Sequence, residues 1–313
     1  VWFDAPIGYV SFTAALCERL GEGWQAYERW WKDPDCRVVH FIGEDNTVFH
    51  ALTWPAMLLA SHDGDSVQGV AGEYQLPTNV VANAFLNERG PDGQMLKLSK
   101  SRMGEDSPLW LEEFLKHHDP DPLRYYLTAI APENQRGAFE MGEFVGKNND
   151  ELIATLGNFI NRWQKIVTDA FSRTVPESAA PGSEEKALAA VLNDLPRRVG
   201  DELERYRFKV ALSVVMDGFR AANRCIEARA PWKSRKTDLA ACGATIHACI
   251  QATRTLGTVM TPFLPFAGDK IRRMLNIPEP DWTWNKATDP LPAGHKLGPQ
   301  PDVLFRKIET EST

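Results

Sequence analysis

No run of apolar residues in this chain approaches the roughly 20 that a membrane-spanning helix needs, so no membrane partner is expected. The opening stretch "VWFDAPIGYVSF" has no initiator methionine, and it lacks the basic start and apolar core of a secretory leader. Cysteine is sparse: Cys17, Cys36, Cys225, Cys242 and Cys249 are the whole set, and no pair stands in C-x-x-C spacing. Such an odd, scattered set offers neither a disulfide framework nor a zinc site, and it suits a reducing cytoplasm. Cys242 and Cys249, seven apart on a predicted helix face, read as packing residues. Positive charge is in deficit too. A net charge of -7 argues against a generic, sequence-blind nucleic-acid binder and against a DNA partner, while leaving room for local basic patches. Repeats and low-complexity tracts are also missing.

What is present is an ordinary globular composition, 43% hydrophobic and 25% charged, over 313 residues, enough for about two domains. Up to about residue 140, short β-rich runs ("VWF", "RVVHFIG", "TNVVANAF") alternate with stretches of helical spacing ("SFTAALCERL", "NTVFHALTWPAMLLASH"). That alternation predicts parallel βαβ units. From about Phe144 to Asn276 the pattern is helical, with apolar residues at i, i+3, i+4 and i+7 over 144–172, 184–206, 208–229 and 236–260. "TVPESAAPGS" (174–183) reads as a loop between helices, and proline in "PWKS" (231–234) and "MTPFLP" (260–265) interrupts the later ones.

The stretch richest in chemistry is "LKLSKSR" (96–102). Two lysines three apart, interleaved with serines, make a short loop of donors. Lysine is a flexible point charge suited to phosphates, and serine hydroxyls add hydrogen bonds. Such a loop can stabilise charge developing on a pyrophosphate leaving group, or it can be merely a solvated basic loop.

"KLSKS" resembles the K-M-S-K-S signature of class I aminoacyl-tRNA synthetases, with Leu98 in place of methionine. Further blocks agree in the same order. "WFDAPIGYVS" (2–11) and "FIGEDNTVFHALTWPAML" (41–58) are similar to catalytic-domain blocks of the methionyl-tRNA synthetase family. "DPLRYYLTAIAPE" (121–133) resembles the segment after its lysine loop, and "LGNFINR" (156–162) and "EARAPWK" (227–233) resemble its anticodon-binding helices. The resemblance implies the second half of a Rossmann-like parallel-sheet α/β catalytic domain followed by an all-α anticodon-binding helix bundle. The expected division is 1–78 for the Rossmann-like half, 79–142 for the lysine-loop and stem-contact region, 143–309 for the bundle, and 310–313 for a frayed tail. Sister class I enzymes share a lysine loop, but "DAPIGY" and "APW" speak for methionine.

The family's site residues carry over position by position. Trp2, Ala5, Pro6 and Tyr9 match positions that shape a methionine pocket; by strand spacing alone, Trp2 and Tyr9 read as core. A thioether is well held by aromatic faces and apolar walls. His50 and Trp54, four apart on a predicted helix, match the same pocket, Trp54 as an aromatic wall and His50 nearer the polar end. Asp45, after Gly43 at the carboxyl end of a predicted strand, can pair with an α-ammonium or ribose hydroxyls, or simply cap the next helix. Glu44 stands where the family commonly has lysine, which weakens any phosphate role there. Lys97, Ser99, Lys100 and Ser101 are the implied ATP contacts, with Lys100 and Lys97 stabilising the transferring phosphates. Asn158 and Arg162, on one helix face, and Trp232, after a proline, match anticodon-reading positions; without the resemblance, Asn158 and Arg162 are a solvated pair. Arg124, Lys165, Arg205, Arg207 and Lys209 could meet RNA phosphates or be surface charge.

The implied activity is ATP-dependent formation of methionyl-adenylate and its transfer to tRNA(Met), with ATP entering as its Mg2+ complex and methionine and tRNA(Met) as partners. The family's H-I-G-H block and the inserted domain that often holds zinc have no counterpart in these 313 residues, so no bound metal is expected. The abrupt opening reads as the interior of a longer cytoplasmic enzyme, and the chain alone is expected not to form the adenylate. The alternative is a truncated, non-catalytic tRNA-binding module.

Overall fold

The computed structural model describes residues 5–61, 74–90, 92–98, 110–178, 181–300 and 303–309. It divides into two compact units, Val1–Phe85 with Pro132–Gly137, and Leu86–Ala131 with Ala138–Thr313. Residues 132–137 join the first unit through backbone bonds: Ala84 N–H donates to the Pro132 carbonyl (2.9 Å) and Gly137 N–H to that of Phe85 (3.4 Å).

In the first unit, helix α1 (Ile7–Arg19) buries Val10, Ala14 and Cys17, a single stripe at i, i+4 and i+7. The short helix α2 (Glu28–Trp31) follows. Strand β1 (Val38–Gly43), rich in β-branched residues, pairs in parallel with β2 (Pro77–Asn83) from Val39↔Asn79 to Gly43↔Asn83, with a register shift between Val38 and Val39. Parallel strands need a long crossover. Its described part holds a 3-10 turn (Glu44–Asn46), a π-wound turn (Phe49–Thr53) and helix α3 (Trp54–Ala60). The wide turn ends beside Pro55, which has no amide hydrogen to bond back to Ala51 and whose ring crowds that carbonyl. Val10, Trp31, Trp54 and Leu58 form the core of this unit.

In the second unit, β3 (Leu86–Arg89) and β4 (Met95–Lys97) form an antiparallel hairpin, Asn87↔Lys97 to Arg89↔Met95. Gly93 at φ 75° supplies a left-handed conformation that the turn requires. After helices α4 (Leu111–His117) and α5 (Pro120–Ala129), strand β5 (Gly137–Phe139) flanks β3 on its other side. With helix α6 (Met141–Gly146), these elements enclose an aromatic core of Phe114, Tyr126, Phe139 and Phe144. An eleven-residue π-wound stretch, Lys147–Gly157, then leads into the bundle: α7 (Asn158–Phe171), α8 (Ser183–Glu204), α9 (Phe208–Arg229), the single turn α10 (Pro231–Ser234), α11 (Leu239–Met260) and α12 (Pro265–Met274).

Helix α11 is the axial member, buried on most of its circumference, with Cys242 and Cys249 wholly inside. Buried Glu185 on α8 ties three helices, accepting from Arg229 Nε of α9 and Thr245 Oγ1 of α11, both at 2.7 Å. Burial works to raise its pKa, but the Thr245 bond, its own amide and Arg229 together hold the carboxyl below the usual range. At the far end, residues 303–309 fold back over the π-wound stretch. Asn148 donates to the Arg306 carbonyl (2.9 Å), and Asn149 both donates to the Ile308 carbonyl (2.9 Å) and accepts from its amide (3.1 Å).

Candidate functional site

The first unit gathers Tyr9, His40, His50 and Trp54 into one ring cluster. Tyr9 stands in the first turn of α1, its backbone turned by Ala5 and Pro6, whose carbonyls accept from Gly8 (3.0 Å) and Tyr9 (3.1 Å). Pro6 is buried and Ala5 exposed. This corrects the strand expected around Tyr9: Pro6, at φ -62°, is already set for a helix entry and the apolar stripe begins at Val10. The Tyr9 ring lies 5.1 Å from His40, 5.9 Å from His50 and 6.4 Å from Trp54, centroid to centroid. Trp31 meets Trp54 edge-on at 6.2 Å, and its indole N–H donates to Thr13 on α1 (3.0 Å).

His50 and Trp54 are buried, and the π-wound turn between them sets both side chains inward. A relay of hydrogen bonds fixes the polarity here. His50 Nδ1 faces the Asn46 carbonyl at 3.0 Å, and a carbonyl only accepts, so Nδ1 carries a proton. In neutral His50 that leaves Nε2 to accept from the Tyr9 hydroxyl at 2.9 Å. In that state the tyrosine proton is directed at His50. Two ring nitrogens of the cluster, His40 Nε2 and Trp54 Nε1, are buried without a hydrogen-bond partner among the described residues.

Asp45 occupies the 3-10 turn directly after β1, where its Oδ1 accepts from Asn46 (3.1 Å); neither that turn nor the next takes a side-chain cap, so the capping alternative is not realised. A Cβ built on Gly43 would stand 2.8 Å from that carboxylate oxygen, so the glycine is what admits it. Glu44 pairs with Arg136 at 3.3 Å, an internal role consistent with its lack of fit to phosphate. In the second unit, Lys97 is the exposed last residue of β4. Trp2, Ser99, Lys100 and Ser101 lie outside the described residues.

In the bundle, Asn158 and Arg162 are exposed on one face of α7. Arg162 pairs with Glu227 of α9 at 2.9 Å, and Asp169, further along α7, accepts from Arg235 at 3.4 Å. Trp232 lies in sequence between Glu227 and Arg235, so these two pairs hold its segment against α7. Ala230, left-handed at φ 41°, turns the chain out of α9, and Pro231 is buried beneath the turn while the Trp232 indole stays 39% exposed. Arg124, Arg205 and Arg207, which could meet RNA phosphates or be surface charge, also have partners within the chain. Arg124 donates to the Phe263 and Pro262 carbonyls (3.0 and 2.9 Å), while Arg205 and Arg207 share Glu202.

Sequence reasoning missed His40 and Trp31. A histidine inside the otherwise apolar run "RVVHFIG" was the available signal for the first; nothing marked Trp31 apart from other tryptophans.

Residues 1–164 match the family described as tRNA synthetases class I (M), and residues 175–313 match the anticodon binding domain of methionyl tRNA ligase. The methionine–tRNA ligase of Bacteroides fragilis is 39% identical over 311 residues, covering 99% of this chain and 42% of that protein. The methionine–tRNA ligase of Pyrococcus horikoshii is 37% identical over 314 residues, covering 99% of this chain and 41% of its own length. The chain thus spans about two fifths of the length of the curated relatives it matches. Among solved structures, the Mycobacterium tuberculosis methionyl-tRNA synthetase bound by methionyl-adenylate superposes with a TM-score of 0.74 at 23% identity, covering 90% of this chain and 51% of that one. That likeness shows the same fold: a parallel α/β part followed by a helical one. On the family match, which takes in more than half of its residues, the chain belongs to the class I (M) tRNA synthetases.

Proposed function

We propose that the polypeptide carrying this chain is a methionine–tRNA ligase, which activates methionine with ATP and passes it to tRNA(Met). The observation that carries this reading is the ring cluster of Tyr9, His50 and Trp54, with Pro6 buried near Tyr9 in sequence and Asp45 just past the end of β1. An aromatic cage with few fixed polar groups suits a flexible, weakly polar thioether side chain. In this reading Trp2, Ala5, Pro6, Tyr9, His50 and Trp54 enclose methionine, and Asp45 accepts from its α-ammonium or from the ATP ribose. Lys97, Ser99, Lys100 and Ser101 bind ATP, which arrives with Mg2+. The α-carboxylate of methionine attacks the α-phosphate and pyrophosphate leaves; the two lysines offset the charge gathering on the leaving group. The terminal ribose hydroxyl of tRNA then attacks the activated carbonyl and releases AMP. No protein nucleophile is required, since positioning and charge stabilisation do the work.

Residues 1–78 then serve amino-acid and nucleotide binding, 79–142 the lysine loop and the RNA stem, and 143–309 the anticodon. Asn158, Arg162 and Trp232 read the anticodon, the indole by stacking on a splayed base. The test is amino-acid-dependent ATP–pyrophosphate exchange by the polypeptide that carries this chain. Methionine should support exchange where leucine, isoleucine, valine and cysteine do not, and Trp54→Ala should raise the methionine KM at least tenfold. Exchange driven by one of those other amino acids in place of methionine would overturn the reading.

A further inference from the structure

Glu185 lies in the first turn of α8, three residues past Gly182, and its side chain is only 2% exposed. Its Oε1 accepts from Arg229 Nε and from Thr245 Oγ1, both at 2.7 Å, while Oε2 has no partner among the described residues. A Cβ built on Gly182 would come within 3.0 Å of that Oε2 and 3.3 Å of the Arg229 guanidinium, so a side chain at 182 would crowd the pair. A buried ion pair of this kind gains little stability over apolar side chains of the same volume; what it fixes is geometry.

Geometry is what the neighbouring corner needs. Arg229 is the last residue of α9, and Ala230 after it is left-handed at φ 41°, a conformation that costs any residue with a Cβ. The surroundings hold it there. Ala230 N–H donates to the Ile226 carbonyl (3.0 Å), and the Pro231 carbonyl accepts from the Arg235 amide (3.0 Å) and from Cys242 Sγ (3.5 Å). Cys242 stands three residues before Thr245 on α11. Glu185 therefore grips the helix that enters the corner at its last residue, and also grips α11 one turn from its contact with Pro231. With its ring 39% exposed, Trp232 takes its direction from this backbone more than from packing around the indole.

We propose that Glu185, acting through Arg229 and Thr245, is a positioning residue for anticodon recognition, locking the Arg229–Pro231 corner so that the Trp232 indole is presented in one direction to the base it stacks on. The inference rests on the reading of Trp232 given above and adds to it the group that preorganises the ring. A side chain already aimed at its partner loses less freedom on binding, so the lock is felt in RNA affinity rather than in folding.

The experiment uses the full polypeptide and compares wild type, Glu185→Met with Arg229→Met, Arg229→Lys and Glu185→Gln, each with and without Trp232→Ala. It reads thermal midpoint, the dissociation constant for tRNA(Met) and the exchange KM for methionine. E185M/R229M should melt at or above the wild-type midpoint, because an apolar pair replaces a buried ionic one. Its tRNA(Met) binding should nonetheless weaken at least fivefold, with the methionine KM within twofold. Adding W232A to it should cost less than a further twofold, since the indole is no longer held for stacking. E185Q, which keeps an acceptor oxygen for Arg229 Nε and Thr245, should bind within about threefold of wild type. R229K keeps the charge but not the Nε–H that Glu185 accepts; it should weaken binding at least threefold, and it decides the matter if the double variant does not fold. Wild-type affinity in a folded E185M/R229M or R229K overturns the proposal. So do losses that add in full to that of W232A, or a methionine KM rising in step, either of which marks a tie that serves folding alone. Unaltered tRNA(Met) binding by W232A on its own instead overturns the reading of Trp232.

Discussion

The imidazole of His40 is buried beside His50 and against the exposed ring of Tyr9, and that environment resists a positive charge. Desolvation acts first and the nearby His50 second, both holding the pKa below the usual 6.5. The consequence for stability has a definite sign. Below about pH 6.5 the unfolded chain takes up a proton on this residue that the folded chain does not, so stability falls as pH drops, until the lower folded-state pKa is reached. Urea midpoints at pH 7.5, 6.5 and 5.5 should show wild type losing stability on acidification more steeply than His40→Phe; parallel curves would refute the assignment. At this scale the sequence was partly legible. His50, Trp54 and Tyr9 could be expected near one another because their blocks resemble a family's, and their rings do meet. His40 could not, because a lone histidine in a strand has no spacing partner, and its place in the cluster exists only once α1 and the π-wound turn converge on it.

The α12 helix begins where Asp121, on α5, offers its carboxylate to the exposed amides of another helix. Asp121 is buried, accepting from Ala267 at 2.6 Å and Phe266 at 3.5 Å, and thereby supplies a cap that α12 lacks in its own sequence. Burial raises its pKa despite those bonds, so ionisation at neutral pH opposes folding and the amides recover part of that cost. Asp121→Ala should lower stability at pH 7 by about 1–2 kcal/mol through the lost cap, while Asp121→Asn, with an uncharged acceptor, should stay within about 1 kcal/mol of wild type. Equal denaturation midpoints for the two variants would count against the capping role. Helices over 144–172, 184–206, 208–229 and 236–260 were readable from their apolar stripes, and the structure has them at 141–171, 183–204, 208–229 and 239–260. Three features were not readable. Pro196 sits inside α8 without ending it, Tyr9 is helical, and two turns are π-wound. Each depends on packing that outweighs a local preference.

Across the whole molecule, a net charge of -7 leaves little general attraction for RNA, and many arginines of the bundle already have acidic partners. Under the proposed function, stacking by Trp232 is a part of tRNA recognition that does not depend on phosphate neutralisation. Replacing Trp232 by alanine should weaken tRNA(Met) binding by about 1–3 kcal/mol, the range for one stacked base, with little change in salt dependence. Filter binding at two salt concentrations distinguishes this from a charge effect, and unaltered affinity removes Trp232 from the interface. The division into a parallel α/β part and a helical part was visible as a change of hydrophobic period near residue 140. The return of residues 132–137 to the first unit was not, because it is made by backbone bonds that carry no sequence signature. The clasp of Asn148 and Asn149 on Arg306 and Ile308 has its own consequence during synthesis. Its halves lie 158 and 159 residues apart, so at ribosomal speeds of about 5–20 residues per second the asparagines wait roughly 8–30 s for their partners to emerge. Through that interval a nascent bundle stands open at the π-wound stretch, and it is there that a chaperone or a protease has its longest opportunity.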